Sequence, residues 1–130
     1  GIQMVSRIGS RIPLYCSGVG KAMVAEMDEW EIEEIWNNSE IIRLTPYTIT
    51  DHDDFKMELD EIRRRGYALD NEENETGVRC IACSLKEPAG GARHAFSISA
   101  PVSRMDNDRI RELADSVLKV REEIAEKLRS

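Results

Sequence analysis

The 130-residue sequence predicts a single α+β domain with a mainly antiparallel sheet flanked by helices. Two observations support this class. Strand-like apolar runs cover residues 67–70, 78–85 and 92–100, a KEPAGG turn joins the last two, and helix-like apolar periodicity lies on either side of them. Hairpin-joined strands with helices before and after favour an α+β fold over the regular crossovers of an α/β fold. A chain of this length is expected to form one domain around one core.

Composition and charge narrow the class of protein. With 41% hydrophobic and 33% charged residues the chain is not expected to be disordered, and no apolar run approaches the roughly 18 residues of a membrane helix. The formal net charge of -7 argues against binding of a nucleic acid backbone by these residues themselves. Cys16, Cys80 and Cys83 are an odd number without a secretory signal, which indicates reduced thiols in a cytoplasm.

The N-terminal half predicts one strand followed by helices. Residues 1–8, GIQMVSRI, alternate apolar and polar side chains like a half-buried strand, and a helix-compatible run extends from about Val19 to Met27. Asp28 followed by Glu31 resembles a capping box and opens a second helix, which ends at residues 37–38. The predicted apolar contacts of this second helix are Trp30, Ile35 and Trp36.

The start of the first helix is a candidate wall of a binding pocket. A helix start that contains Gly18 and Gly20 leaves backbone N–H groups bare, and such groups attract anions. Close helix packing explains the same two glycines equally well. A phosphate-binding P-loop is excluded, because that motif needs Gly where Tyr15 stands and Ser or Thr where Ala22 stands.

Caps and periodicity predict two further helices. Thr50 or Asp51 caps one helix, which Gly66 closes, and Asp106 caps a final helix that must pack on the sheet. The apolar face of the first of these contains Phe55, Leu59 and Ile62. The apolar stripe of the final helix contains Ile110, Leu113, Ala114, Val117, Leu118, Ile124, Ala125 and Leu128.

The groups best suited to a small-molecule pocket lie between residues 66 and 101. Ser97 and Ser99 share one face of the last predicted strand, because side chains alternate along a strand. Their hydroxyls can then meet Cys80 and Asp70 from the neighbouring segments. A strand with one solvated face gives the same pattern, so a purely structural role for the two serines stays open.

Two motifs in the same region resemble metal or redox sites without completing them. Cys80 and Cys83 form a C-x-x-C, but residues three apart in a strand face opposite ways and no second ligand pair follows, so neither zinc nor a thioredoxin-like pair is expected. The NEENE run between Asp70 and Gly77 lacks the residue order of an EF-hand loop, and a solvated acidic turn explains it better. No metal and no cofactor is therefore predicted.

The alternative function is a cysteine-dependent enzyme that acts on a small acyl or keto substrate through Cys80. Such a nucleophile needs a histidine base held by Asp or Asn. Of the two histidines, His52 lies at a predicted solvated helix start and His94 in a strand, and neither has a supporting motif. No catalytic residue is assigned, and a dimerisation module with a vestigial pocket is a third interpretation.

Three blocks, SRIGSRIPLYCSGVGKA, GYALDNEENETGVRCIA and SISAPVSR, occur in this order over nearly the whole chain. Together they resemble the effector-binding domain of the IclR family of bacterial transcription regulators. The resemblance implies a GAF-like or profilin-like fold with a ligand cleft on one side, and assembly into homodimers or homotetramers. Compared with that family, residues 1–130 lack the N-terminal winged helix-turn-helix and the first elements of the sensing domain. DNA is accordingly expected to be bound only through that missing N-terminal domain.

The same resemblance implies which residues bind the effector. The implied effector is a small keto or hydroxy carboxylate, and the opening MVSRIGSRIPLY most resembles regulators of 2-keto-3-deoxygluconate use. Val19 stands where the family often has a smaller Ala, which is expected to narrow or reshape the cleft. The residues that match the family's ligand-binding positions are Met4, Gly18, Val19, Asp70, Val78, Cys80, Ser97 and Ser99.

Overall fold

The computed structural model describes residues 8–129. Its helices are α1 Gly18–Val24, α2 Glu29–Asn38, α3 His52–Arg65 and α4 Asn107–Arg129, and its strands are β1 Ala68–Asn71, β2 Val78–Lys86 and β3 Ala92–Pro101. A short 3-10 helix, Val102–Arg104, connects β3 to α4. The predicted α+β class is confirmed. The strand predicted over residues 1–8 lies outside the described residues apart from Ile8, which is in a turn.

The strands form one antiparallel sheet in the order β1-β2-β3. Asp70 on β1 pairs with Cys80 on β2, which in turn pairs with Ser99 on β3. Directly paired residues point to the same face of a sheet, so these three side chains form one row across it. The predicted KEPAGG turn closes the β2–β3 hairpin, where Gly90 and Gly91 have positive φ angles of 95° and 75°.

The two faces of the sheet bury different cores. Ile81 and Cys83 on β2 pack against α4 together with Met105, Ala114 and Val117. The opposite face presents alanines at positions 68 and 82 to a second core, which includes buried side chains of α1, α2 and α3. The alternation of Ile81, Ala82 and Cys83 between the two cores is the period of two expected of a strand. The cleft described below lies on the alanine side of the sheet.

Helix α3 forms as its caps predict. The Asp51 carboxylate accepts a hydrogen bond of 3.0 Å from the Asp54 N–H at the start of the helix. Gly66 ends it in the left-handed region, with φ of 92°. The predicted apolar face, Phe55, Leu59 and Ile62, is buried.

Three details of the helices differ from the predictions. Helix α1 ends at Val24 rather than near Met27, because the N–H groups of Glu26 and Met27 bond carbonyls three residues back in a tightened turn. The second helix, α2, has its predicted capping box. Trp30 was predicted to be one of its apolar contacts, but the Trp30 side chain is 66% exposed and does not belong to the core.

Helix α4 extends about two turns beyond Arg121, which donates to carbonyls of the sheet region. Leu128 in that extension is 42% exposed. The buried members of the predicted α4 stripe, Ile110, Ala114 and Val117, therefore all lie in the first half of the helix.

Within residues 8–129, no helix combines the length and the hydropathy that a membrane span requires.

Candidate functional site

A cleft of about 170 Å³ opens between the start of α1, the loop that joins β1 to β2, and the alanine side of the sheet. Seven of the eight residues predicted to bind a ligand line it: Gly18, Val19, Asp70, Val78, Cys80, Ser97 and Ser99. Met4 lies outside the described residues. The cleft is also lined by four residues that the sequence did not single out, namely Ile12, Ser17, Asn74 and Glu75. The predicted set is thus brought together, while its role in binding stays a prediction.

The polar floor of the cleft follows from strand register. Cys80 is the direct neighbour of Asp70 on one side and of Ser99 on the other. The Ser99 hydroxyl donates a hydrogen bond to the Cys80 sulfur, which lies 2.8 Å away. Ser97, two residues before Ser99, lines the same cleft. The shared facing of the two serines is confirmed.

Helix α1 meets the sheet closely because Gly18 has no side chain. A Cβ atom at Gly18 would lie 3.3 Å from the Cβ of Ala82 and 3.6 Å from that of Cys80. At Gly20 a Cβ would lie 2.7 Å from the Leu14 carbonyl oxygen, so close packing accounts for this second glycine. Gly18 therefore serves packing and also lines the cleft, and the two explanations for it are compatible.

The first amides of α1 differ in their hydrogen bonds. The Gly20 N–H donates to the hydroxyl of Ser17, 3.1 Å away, and the Lys21 N–H donates to the Ser17 carbonyl. Among the described residues, no protein hydrogen bond engages the N–H of Gly18 or Val19. Both of these residues line the cleft. Two backbone donors are thus available to an acceptor placed there.

Asp70 is the buried carboxylate of the cleft, with 4% of its surface exposed. Its Oδ1 accepts hydrogen bonds from the N–H groups of Glu73, at 2.8 Å, and Asn74, at 3.4 Å. Burial raises the pKa of Asp70 from its ordinary value of 3.8 to about 6, and the nearby Glu73 charge adds to this effect. Asp70 is therefore mainly ionised at neutral pH, but it titrates close to the physiological range.

The acidic run NEENE is not the solvated turn that the sequence predicted. Glu73 is 4% exposed and forms a salt bridge of 2.8 Å with Lys21, which is fully buried on α1. Glu72, at a positive φ of 59°, accepts a hydrogen bond from the Gly77 N–H. The prediction fails because it ignored a possible partner for Glu73. The signal that could have revealed it is a lone lysine in the small and apolar run VGKAMVA.

Cys80 lacks the surroundings of a nucleophile. Burial raises its pKa to about 11, so the thiol is almost entirely protonated at neutral pH. The imidazole of His52 pairs with Glu33 and that of His94 with Glu87, and neither histidine lines the cleft. Cys83 is buried in the core on the other face of the sheet, as the strand spacing predicts. Within residues 8–129, no group of three His, Cys, Asp or Glu side chains could hold a metal ion.

Alkylation should therefore be slow at Cys80. A rise in pKa from the ordinary value of 9.0 to about 11 lowers the thiolate fraction at neutral pH about 100-fold, and we expect iodoacetamide to label Cys80 correspondingly more slowly in the folded chain than in the denatured chain. Mass spectrometry with Cys80→Ser as the control identifies the labelled site. Rapid labelling of Cys80 in the folded chain, or a stable adduct with a keto acid, would support the enzyme alternative.

A larger cavity of about 530 Å³ lies elsewhere, between the end of α1, α3 and α4. Its two arginines have protein partners: Arg121 lies 3.6 Å from Glu26, and Arg63 donates to the Ala25 carbonyl at 2.7 Å. The Ser84 hydroxyl donates to the same Glu26 carboxylate. None of the predicted ligand-binding residues lines this cavity. This cavity is therefore distinct from the predicted binding site.

Comparison with known proteins agrees with this geometry. The family model described as "Bacterial transcriptional regulator IclR C-terminal" matches residues 1–126. The chain is 39% identical over 108 residues to the HTH-type transcriptional repressor AllR of Salmonella typhimurium. The aligned residues cover 83% of this chain and 40% of AllR. It is 40% identical over 111 residues to the HTH-type transcriptional regulator KdgR of Escherichia coli. The aligned residues cover 85% of this chain and 42% of KdgR. The chain thus spans about two fifths of the length of these relatives.

Solved structures show the same fold. The Thermotoga maritima IclR structure superposes with a TM-score of 0.92 at 38% identity, over 98% of this chain and 52% of that one. A complex of 3-hydroxybenzoic acid with the inducer-binding domain of a double mutant of PobR from Acinetobacter gives a TM-score of 0.84 at 28% identity, over 95% of this chain and 74% of that one. The GAF-like α+β architecture is confirmed by these neighbours. The chain belongs to the IclR family of bacterial transcriptional regulators, whose C-terminal domain it matches over almost its entire length.

Proposed function

We propose that this chain is the sensing domain of a transcription regulator, that it binds a short keto or hydroxy carboxylate in the cleft, and that it catalyses no reaction. The observation that carries the proposal is the convergence of Gly18, Asp70, Cys80, Ser97 and Ser99 on one small cleft. The PobR domain complex supports the ligand class, because 3-hydroxybenzoic acid is a hydroxy carboxylate. The high pKa of Cys80 supports a binding role over a nucleophilic one.

The cleft has a polarity that orients such a ligand. Two unengaged N–H groups, at Gly18 and Val19, and the hydroxyls of Ser97 and Ser99 are suited to the acid group. Asp70 repels a carboxylate when ionised but accepts hydrogen bonds from hydroxyls, so it suits the opposite end of the ligand. The small volume of the cleft, about 170 Å³, favours a compact acid. 2-Keto-3-deoxygluconate remains one candidate, and KdgR is one of several related regulators.

A thermal-shift screen of short keto and hydroxy acids tests the proposal. We expect at least one acid to raise the melting temperature in a saturable way, because a ligand that binds only the folded state stabilises it. The amide of the same acid, which lacks the carboxylate charge, is the matched control and should give a smaller shift. Equal shifts from acid and amide, or no saturable shift from any acid, would contradict the proposal.

We propose further that DNA is bound by another part of the complete regulator and that the effector alters this binding. The matched relatives are named HTH-type regulators, and this chain spans about two fifths of their length. Assembly into homodimers or homotetramers, as the family resemblance implies, belongs to the same proposal. Such assembly would couple ligand binding in one subunit to the spacing of DNA-binding domains.

Residues 1–130 alone are not expected to bind duplex DNA at physiological salt. Their formal net charge is -7, and repulsion from the phosphate backbone removes the main source of non-specific affinity. A gel-shift assay with the chain, next to a regulator that includes a helix-turn-helix domain, measures this. Sequence-specific retardation of DNA by the chain alone would contradict the proposal that another part of the complete regulator binds DNA.

A further inference from the structure

A charged side chain that is inaccessible to solvent lies directly behind the cleft. Lys21, one turn after Gly18 on α1, is fully buried. Its ammonium group donates to the Leu69 carbonyl at 2.6 Å and to the Glu73 carboxylate at 2.8 Å, and the Glu58 carboxylate lies 3.8 Å away. Burial of an ion pair carries a large desolvation penalty, and apolar side chains of similar volume often serve stability as well or better. A contribution to stability alone therefore does not explain well why the ion pair of Lys21 and Glu73 is buried.

Glu73 holds the loop that carries the acidic wall of the cleft. Its second carboxylate oxygen accepts from the Asn71 N–H at 2.9 Å, and its own N–H donates to Asp70 Oδ1 at 2.8 Å. Its carbonyl accepts from the Thr48 hydroxyl at 2.6 Å. Every polar group of Glu73 thus ties the β1–β2 loop to a neighbour, and the salt bridge ties that loop to α1.

The ion pair therefore connects the two walls of the cleft. Gly18 and Val19 at the start of α1 form one wall, and Asp70 with Asn74 forms the other. Neither Lys21 nor Glu73 lines the cleft itself. Any effect of the pair on a ligand must act through the positions of the residues that do.

We propose that Lys21 and Glu73 are positioning residues that fix the distance between the start of α1 and the Asp70 loop, and thereby set the affinity of the cleft for its effector. The part of this inference that concerns the ligand rests on the proposed function. The part that concerns the distance between α1 and the loop rests on the contacts of Lys21 and Glu73 alone. A loop released from α1 must be ordered again when the ligand binds, and the free energy of that ordering lowers affinity.

The double variant Lys21→Met/Glu73→Gln separates positioning from stability. Single Lys21→Met leaves a buried carboxylate without its cation and should lower the melting temperature, whereas the double variant removes both charges and should recover most of that loss. The glutamine keeps an oxygen for the Asn71 N–H. Amide hydrogen exchange of residues 71–74 should nevertheless accelerate at least tenfold in the double variant, and pyruvate, used as the probe, should bind at least tenfold more weakly in calorimetry.

Glu26→Gln is the matched control, because it breaks a half-buried ion pair with Arg121 that is remote from the cleft. It should change the melting temperature without changing exchange at residues 71–74 or the affinity for pyruvate. If pyruvate does not bind the unmodified chain, the proposed function fails for that probe and the exchange result alone decides the inference. Unchanged exchange in a double variant of normal stability overturns it, as does unchanged affinity for pyruvate.

Discussion

Replacing Asp70 with asparagine is expected to stabilise the domain by up to about 3 kcal/mol at pH 8, and to leave its stability nearly unchanged at pH 4. The cause is burial, which raises the pKa of Asp70 from 3.8 to about 6 and so penalises the ionised form in the folded state. The amide oxygen of asparagine can still accept from the N–H groups of Glu73 and Asn74. Urea unfolding of both proteins from pH 4 to pH 8 measures the difference.

The sign of this pH dependence follows from the direction of the pKa shift. Since the folded-state pKa lies above the unfolded value, the contribution of Asp70 to stability is fully present below about pH 4 and is lost as the pH rises through about 6. The asparagine variant lacks this loss, so the gap between the two proteins widens with pH. Asp108→Asn, at a side chain 83% exposed, is the control and should stay within about 0.5 kcal/mol. An asparagine variant that becomes more destabilised as the pH rises would instead show that its neighbours stabilise the ionised form of Asp70, and it would contradict the direction of this pKa shift.

Single Ser97→Ala and Ser99→Ala variants are each expected to bind the effector about 10- to 100-fold more weakly while the fold hardly changes. Each substitution removes a charge-assisted hydrogen bond to the ligand carboxylate, which corresponds to roughly 1.5 to 3 kcal/mol. Calorimetric titration with an acid identified in the thermal-shift screen measures the loss. The two serines need not lose equal amounts, because the Ser99 hydroxyl also contacts the Cys80 sulfur.

Ser103→Ala provides a control on an exposed serine outside the cleft, and its affinity should equal that of the unmodified chain. If Ser97 and Ser99 are only solvent-facing strand residues, both of their variants should also bind normally and unfold within about 0.5 kcal/mol of the unmodified chain. Normal affinity in both variants would remove the serines from the site and would contradict the proposed orientation of the carboxylate.

Local sequence patterns were sufficient to predict most of the fold. The Asp51 cap, the apolar spacing after it and the terminal Gly66 define α3 in the sequence as they do in the structure, because each acts within one or two turns of chain. The KEPAGG turn likewise identifies the hairpin of β2 and β3. The exposure of Trp30 is not predictable in this way, since the pattern of α2 identifies a helix without showing how far the neighbouring core extends.

The cleft was predictable in part, for two different reasons. Period-two alternation alone places Ser97 and Ser99 on one face, whereas the inclusion of Val19 and Val78 depended on the family resemblance. The salt bridge between Lys21 and Glu73 joins residues 52 positions apart, and no local pattern distinguishes Glu73 from the acidic residues beside it. Burial of that carboxylate is a property of the tertiary structure, so the sequence suggested a solvated turn.

The most direct test of the cleft as an effector site is an amide NMR titration of the isotopically labelled chain with a short keto acid. If the acid binds as proposed, the largest saturable shifts should occur at the N–H groups of Gly18 and Val19 and along residues 97–99 of β3. Shifts confined to the larger cavity around Arg63 and Arg121, with the cleft amides unchanged, would contradict the assignment of the effector site.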